Sequence, residues 1–480
     1  MNTAHIDVPR HLFFLAGVRQ ECQDSYEVRN PYTGAVVGKV CRADPAKLEA
    51  AIQAAVRAFE TTRKLPSHRR ASILRTVSAG IQSRDEEFAR TIAQEAGKPI
   101  KQARVEVQRS IFTFAQAAEE ATRIEGETIH LDAFSAGEGR YGIVRRFPVG
   151  PIAAITPFNF PLNLVAHKLA PALAAGCSVV LKPASQTPIS ALKLAEIIAD
   201  AGWPAGALSV LPLRSEDAAP LIEDQRFKLL TFTGSPAVGW AMKQRAGHKR
   251  VTLELGGNAS VIVHNDADLD LAAARAVVGG FSYAGQSCIS VQRIFVHDAV
   301  YIEFMDRFAP AVKALRLGDP LDEASDLSAL VTPGDGARVA EWLDEARAVG
   351  AEILTGGTVQ GGAVEPTIVA KAGPELRINC AEIFAPVVTI QTYTEFDEAL
   401  AAVNNSDFGL QAGIFTNDLQ LVWRAYETLE VGGVIINDVP TWRVDHMPYG
   451  GVKQSGFGRE GLKYAIEEMT EPRLLALNPR

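Results

Sequence analysis

Between about Ile152 and Val263, short apolar runs alternate with longer amphipathic ones. Ile152 to Thr156, Ser178 to Leu181, Leu208 to Leu211, Leu229 to Phe232 and Val251 to Leu255 have the length and apolar character of strands buried on both faces. Ser190 to Ala201 and Pro236 to Arg245 fall between them with helical periodicity. This alternation predicts a parallel, doubly wound α/β sheet, punctuated by turns at Pro157, Pro161, Pro183 and Pro188. A second alternating stretch, about Ala259 to Val452, predicts another α/β unit, with helices over Leu269 to Gly279, Tyr301 to Leu315 and Gly336 to Val349. Leading helices over Ala46 to Thr61 and Arg70 to Glu95 are expected to pack on the first unit. No internal repeat or low-complexity linker interrupts the chain.

Composition adds boundaries to this picture. A chain of 480 residues with 47% hydrophobic and 22% charged residues can bury a large core in more than one domain. The net charge is −8, and the densest basic cluster, Arg63-Lys64 with His68-Arg69-Arg70, reads as a solvated face, so no nucleic-acid partner is expected. Met1 to Arg10 lack a basic leader, and the apolar run Leu12 to Val18 is too short to cross a bilayer, so neither export nor membrane insertion is expected. Five scattered cysteines do not form the pattern of a disulfide framework, which predicts a reducing, cytoplasmic setting. No HExxH, paired CxxC or EF-hand spacing occurs, so no metal is expected. His167 and His264 read as structural.

The candidate chemistry centres on Cys288 in Gly285-Gln286-Ser287-Cys288, with Glu254 lying 34 residues earlier (288 − 254 = 34) in Leu253-Glu254-Leu255-Gly256-Gly257. A thiol nucleophile and a carboxylate base are the minimal parts for forming and hydrolysing an acyl-enzyme. The ordinary role of a single Cys is a small buried hydrophobe, yet polar and small neighbours here suit a tight turn. Gly456-Phe457-Gly458-Arg459-Glu460-Gly461 matches G-x-G-x-x-G, but only 19 residues follow it, too few to complete a βαβ unit, so it reads as a glycine-permitted turn. Gly234-Ser235-Pro236-Ala237-Val238-Gly239 is a better phosphate candidate. It follows a predicted strand and opens a helix whose free N–H groups would attract an anion, the alternative being a plain turn with Ser235 as N-cap. Lys182 ends another predicted strand, where open α/β sheets bind ligands. Asn159 sits in a turn after Thr156, where a capping role is the ordinary one.

Seven segments stand in a telling order: Thr156 to Leu162, Lys182 to Ser185, Phe232 to Ser235, Glu254 to Gly257, Gly285 to Cys288, Glu382 to Pro386 and Pro448 to Gly451. Their order and spacing resemble the aldehyde dehydrogenase superfamily over nearly the whole chain. Asn437 to Arg443 followed by Met447 to Val452 is most similar to the branch holding lactaldehyde dehydrogenase-like and family-21-like members.

The resemblance implies a cofactor-binding domain over 1–123 and 143–254, a catalytic domain over 255–452, and a small β arm over 124–142 and 462–480 used in forming a homodimer or homotetramer. It implies that Cys288 attacks an aldehyde, that Asn159 and the Cys288 N–H hold the oxyanion, and that Glu254 activates water against the thioester. Thr156, Lys182, Ser185, Thr233, Gly234, Ser235, Leu255, Glu382 and Phe384 would hold NAD or NADP. Ser185 takes the place where NAD-preferring members carry Glu, and without a carboxylate to repel a 2′-phosphate NADP is acceptable.

Alternatives remain. A CoA-acylating enzyme would not need Glu254, and a cofactor-free cysteine hydrolase or acyltransferase would need a general-base His that no motif identifies. A non-catalytic role would leave the set Asn159, Glu254 and Cys288 without purpose. Arg109 and Arg443, which in this family border the substrate mouth, are each an ordinary solvated or paired arginine taken alone. Together they form a fork for an anion, which points to a short aldehyde with a distal acid or hydroxyl, semialdehyde or lactaldehyde-like.

Overall fold

The computed structural model describes residues 8–479; Met1 to Asp7, most of the leader stretch considered above, and Arg480 at the end of the expected arm lie outside the described residues. The five predicted strands of the first unit form the parallel centre of an eight-stranded sheet, in the order Arg250–Glu254, Leu229–Thr233, Ile152–Ile155, Val179–Lys182, Leu208–Val210. Ile152–Ile155, Val179–Lys182 and Leu229–Thr233 are buried at every position, as continuous apolar runs require when helices cover both faces. The sheet is not purely parallel. Gly456–Phe457 pairs antiparallel at one edge, and the hairpin Phe13–Leu15 with Val18–Gln20 closes the other. The apolar run near Leu12 is therefore an edge hairpin, turned at Ala16 and Gly17, both with positive φ.

Helices Asn163–Ala175, Ile189–Asp200 and Pro236–Arg245 make the crossovers. Strand order reverses at Ile152–Ile155: one successor lies to one side, and Leu229–Thr233 to the other. The C-terminal ends of these two strands therefore flank the crevice where doubly wound sheets bind ligands.

A seven-stranded sheet forms the second unit, in the order Glu352–Thr355, Thr367–Ala370, Val387–Tyr393, Val291–His297, Ala259–Val263, Gln411–Phe415, Gly433–Ile436. Only the first of these is antiparallel to its neighbour. Its expected helices lie at Leu269–Phe281, Tyr301–Lys313 and Pro333–Ala348. The chain leaves the first sheet at Glu254 and enters the second at Ala259, while Cys288 stands three residues before Val291–His297. The C-terminal edge of one parallel sheet thus faces the N-terminal edge of the other.

Three expectations need correction. The helix expected over Arg70 to Glu95 is two helices, Ser67–Gln82 and Asp85–Ala96. The second starts on the acidic run Asp85, Glu86, Glu87, which suits the positive end of a helix. The tail is not strand-like throughout: Leu462–Glu468 is a helix burying Leu462, Ala465 and Ile466 on one face. Only Thr470–Leu477 is strand, and it joins Tyr141–Pro148 and Glu127–Ile129 in a three-stranded sheet. Tyr141, Ile143, Leu474, Leu475 and Leu477 leave that sheet with an exposed apolar surface.

The third correction concerns the cysteines. Cys22 and Cys41 are joined in a disulfide with a Cα–Cα separation of 5.5 Å. Antiparallel pairing of Ser25–Arg29 with Val36–Cys41 sets Ser25 opposite Cys41, which brings the segment before Ser25 within bridging range. Sequence spacing alone does not reveal a pairing made by strand register, and the cysteine count no longer argues for a reducing compartment. Among the described residues, no helix is long and apolar enough to cross a membrane.

Candidate active site

The facing sheet edges enclose a cavity of about 470 Å³. Asn159, Glu254, Cys288, Thr233, Gly234, Ser235, Leu255, Glu382, Phe384, Arg109 and Arg443 all line it. Thr156, Lys182 and Ser185 are not among its lining residues; they sit at and beyond the strand ends on the flank of the strand-order reversal.

Cys288 is brought into this position by a strained turn. Tyr283 and Ala284 adopt left-handed backbone conformations (φ 51° and 52°), and Gly285 continues at φ +70°. A Cβ on Gly285 would strike the Ala385 carbonyl, so the turn passes close under the Glu382 segment only because Gly285 has none. Similarly, a Cβ on Gly257 would meet the Cys288 carbonyl, which is what lets the Glu254 connection lie against the Cys288 turn. Strain of this kind persists where surrounding structure over-determines it.

The thiol Sγ lies 3.0 Å from the Tyr449 hydroxyl. Burial pushes the Cys288 pKa up to about 12, and Glu382 and Glu254 add to this; Tyr449 and Arg443 oppose it without prevailing. The turn therefore does not hold the thiol pKa below its ordinary value. Glu254 is buried with neither carboxyl oxygen hydrogen-bonded among the described residues. Burial, then the neighbouring Glu460 charge, holds it well above the usual carboxylate range. Asn159 Nδ2 donates to the Gln286 carbonyl at 2.9 Å, tying its turn to the residue two before Cys288.

Glu382 Oε1 accepts from the Gly257 N–H at 3.0 Å, and burial raises Glu382 to about 7. Phe384, also left-handed at φ 52°, meets Phe158 edge-on at 6.0 Å between ring centres. Ser235 is the N-cap of Pro236–Arg245, but its side chain makes no cap hydrogen bond. The first-turn N–H groups of that helix are thus not capped from within.

The two arginines are not free. Arg109 donates from Nε and Nη2 to Asp445 at 3.2 and 2.6 Å. Arg443 is buried, stacked 3.5 Å over the Tyr449 ring and 3.6 Å from Glu460. Its Nε is buried without a partner.

Sequence reasoning missed the supporting residues. Asp445 accepts from Arg109, lies 2.8 Å from His167 Nε2, and takes a bond from Asn163. Burial raises its pKa, but His167 and Arg109 outweigh this and leave it far below its usual range. Glu460 pairs with Lys168 at 3.2 Å; burial raises it, while Lys168, His167 and Arg443 together leave it lowered. One signal was legible: His167-Lys168 interrupts an otherwise apolar helix, Asn163–Ala175, and buried charges are seldom left unpaired. Glu460 lies inside the glycine turn discarded as a phosphate motif, where Gly458 and Gly461 do adopt positive φ. His264 bonds Tyr393 at 2.9 Å, away from this cavity.

Comparison with known proteins places this geometry in context. A model of the aldehyde dehydrogenase family matches residues 18–475. A 3-sulfolactaldehyde dehydrogenase from Priestia aryabhattai is 44% identical over 477 residues, covering 99% of this chain and 100% of its own. The solved structure of aldehyde dehydrogenase 21 from Physcomitrella patens, in complex with the reaction product succinate, is 46% identical, covers 99% of each chain and has a TM-score of 0.97. A glyceraldehyde-3-phosphate dehydrogenase from Methanocaldococcus jannaschii complexed with NADP is 38% identical, covers 96% of this chain and 99% of its own, and has a TM-score of 0.91.

Proposed function

Because this chain belongs to the aldehyde dehydrogenase family and oxidises aldehydes with a nicotinamide cofactor, we propose that it acts on a short aldehyde bearing a distal acid, through a thioester on Cys288. The observation that carries this reading is that Cys288, Glu254, Asn159, Arg109 and Arg443 line one cavity.

The cofactor residues fit their assignment. Thr156 Oγ1 and Thr233 Oγ1 are buried without partners, the helix opening at Pro236 presents uncapped N–H groups, and Lys182 is buried at a strand end. Thr233, Gly234 and Ser235 would hold the pyrophosphate, Lys182 and Ser185 the adenosine ribose, and Leu255, Glu382 and Phe384 the nicotinamide end. When bound, the nicotinamide ring accepts the hydride.

Cys288 Sγ then bonds the aldehyde carbon once its proton has passed to a base. Glu254 is the cavity carboxyl free of hydrogen bonds and able to take it. The second Asn159 N–H is available to the alkoxide, a contribution of about 2.7–4 kcal/mol for one such donor. After hydride loss and release of that first proton to solvent, Glu254 takes a proton from water, whose oxygen attacks the thioester carbon. Glu254 then returns the proton to the departing sulfur, which releases the acid and the thiol. This hydrolytic role favours a carboxylate product over transfer to CoA. The relatives acting on 3-sulfolactaldehyde and holding succinate support a distal anionic group.

Glu254→Gln is expected to give a burst of reduced cofactor equal to the sites present, followed by slow turnover. In the wild type the steady rate climbs as pH rises through the raised Glu254 pKa, because only the carboxylate accepts a proton from water; the variant loses that rise. Equal loss of burst and steady rate would assign Glu254 another role. NADP is used at least as well as NAD, and Ser185→Glu shifts the ratio of kcat/KM toward NAD by about tenfold or more, since it sets a carboxylate against a 2′-phosphate. Strong NAD selectivity unmoved by this change would refute the ribose assignment.

Residues 1–123 with 143–254 form the cofactor domain in this reading, 255–452 the catalytic domain, and 124–142 with 462–480 an arm. The exposed apolar side chains at Tyr141, Ile143, Leu474, Leu475 and Leu477 support an arm that docks on a second copy of the chain in a homodimer or homotetramer.

A further inference from the structure

The most deeply buried ion pair outside the cavity joins Lys98 to Glu106, each 1% exposed. Glu106 begins a polar stripe on the helix Ile100–Glu120 that includes Ser110 and Thr113, spaced to share one face. Its Oε1 accepts from the backbone N–H groups of Leu162 and Asn163 at 3.0 and 3.1 Å, capping the helix that follows the Asn159 turn. Its Oε2 takes the Lys98 ammonium.

That ammonium also faces two rings. It lies 3.6 Å from the centre of Phe160, the residue after Asn159, and 4.3 Å from the centre of Tyr283, in the strained turn leading to Cys288. The rings meet edge-on at 6.0 Å. The segment around Lys98 grips Tyr283 twice more: the Tyr283 hydroxyl donates to the Ala96 carbonyl at 2.9 Å, and its N–H donates to Gln102 at 2.7 Å. One buried cation thus touches both loops of the site. Neither Lys98 nor Glu106 lines the cavity, so neither meets substrate.

We propose that the Lys98–Glu106 pair is a positioning element that sets the Asn159 turn against the Cys288 turn. This rests on the reading of Asn159 and Cys288 given above. A cation over two aromatic faces attracts both rings and fixes their spacing. Glu106 keeps that cation charged in a dry interior, where it would otherwise be very costly. The left-handed Tyr283 is held in a conformation it would not adopt unaided.

The test uses Lys98→Met, Lys98→Met with Glu106→Gln, and Phe160→Leu, with succinic semialdehyde and NADP as reactants. Three quantities are read: Tm, the number of sites titrated at Cys288 by a thiol reagent, and the single-turnover rate of cofactor reduction per titrated site. Lys98→Met strands a buried carboxylate and lowers Tm. The double variant removes both charges and regains most of that Tm, yet its rate per titrated site stays roughly 10- to 100-fold below wild type, as a small misplacement of reacting groups can cause. KM for NADP stays within about twofold, since the cofactor residues are untouched. Phe160→Leu keeps the ion pair and Tm but loses about tenfold in the same rate. A double variant restored in rate as well as Tm, or a Phe160→Leu enzyme as fast as wild type, would show the pair to be structural only. Cys288→Ser in parallel separates the two readings: if that variant turns over normally, the site assignment itself fails.

Discussion

Cys288→Ser loses aldehyde oxidation by at least about a thousandfold while still binding NADP, because a serine hydroxyl at neutral pH is a far weaker nucleophile than a thiol. Tyr449 is the group 3.0 Å from Sγ, and burial holds its hydroxyl well above its ordinary pKa, so it is no base for a serine. Cofactor binding survives because Thr233 to Ser235 are fixed by the first sheet and do not depend on residue 288. Cofactor affinity by fluorescence titration and turnover by absorbance of the reduced cofactor separate the two properties. Near-normal turnover in the variant would remove Cys288 from the chemistry, and loss of NADP binding would show that the substitution had disturbed the fold.

The raised Cys288 pKa has a physical origin that a sequence does not display. Burial of the thiol opposes ionisation most, and the carboxyls that add to it, Glu382 and Glu254, come from positions distant along the chain. In the resting enzyme the thiol is neutral at pH 7. That suits a site in which a positively charged nicotinamide ring, when bound beside Glu382 and Phe384, would favour the thiolate.

Legibility followed sequence distance. The central strands and crossover helices were readable because each declares itself locally: a buried parallel strand is apolar throughout, and a helix repeats every 3.6 residues. Glu254 and Cys288 were readable because close backbone approach forces glycine at Gly257 and Gly285, which leaves recognisable strings around them, while Asn159 and Glu382 were readable through the resemblance of their segments to the family. Asp445, His167, Lys168 and Glu460 carry no such string. They form a buried charge network whose members come from a helix, a loop and a glycine turn, and only folding brings Lys168 and Glu460 within 3.2 Å. The Cys22–Cys41 bridge was hidden for the same reason, since strand register created it. The break between Ser67–Gln82 and Asp85–Ala96 was local and was obscured by continuous apolar periodicity across it.

The charge network also reshapes the expected recognition of substrate. Arg109 and Arg443 do not stand as two open guanidiniums: Asp445 orients the first, and Tyr449 with Glu460 holds the second. What they offer a ligand is Nη1 of each, which donates no hydrogen bond among the described residues, while Arg443 Nε is buried. Arg109, Arg443 and Lys168 face the carboxylates of Asp445 and Glu460, three cations against two anions. That balance suits a single carboxylate or sulfonate on the substrate. Arg109→Leu or Arg443→Met is therefore expected to raise KM for succinic semialdehyde by roughly tenfold or more, the loss of one charge-assisted contact at ~1.5–3 kcal/mol, with rates normalised to titrated Cys288. Butanal, of the same length and neutral, should be almost unaffected by either change. If both variants depress the two aldehydes alike, or if hexanal outperforms succinic semialdehyde in the wild type, the arginines serve the fold and the distal end of the pocket selects for apolar surface.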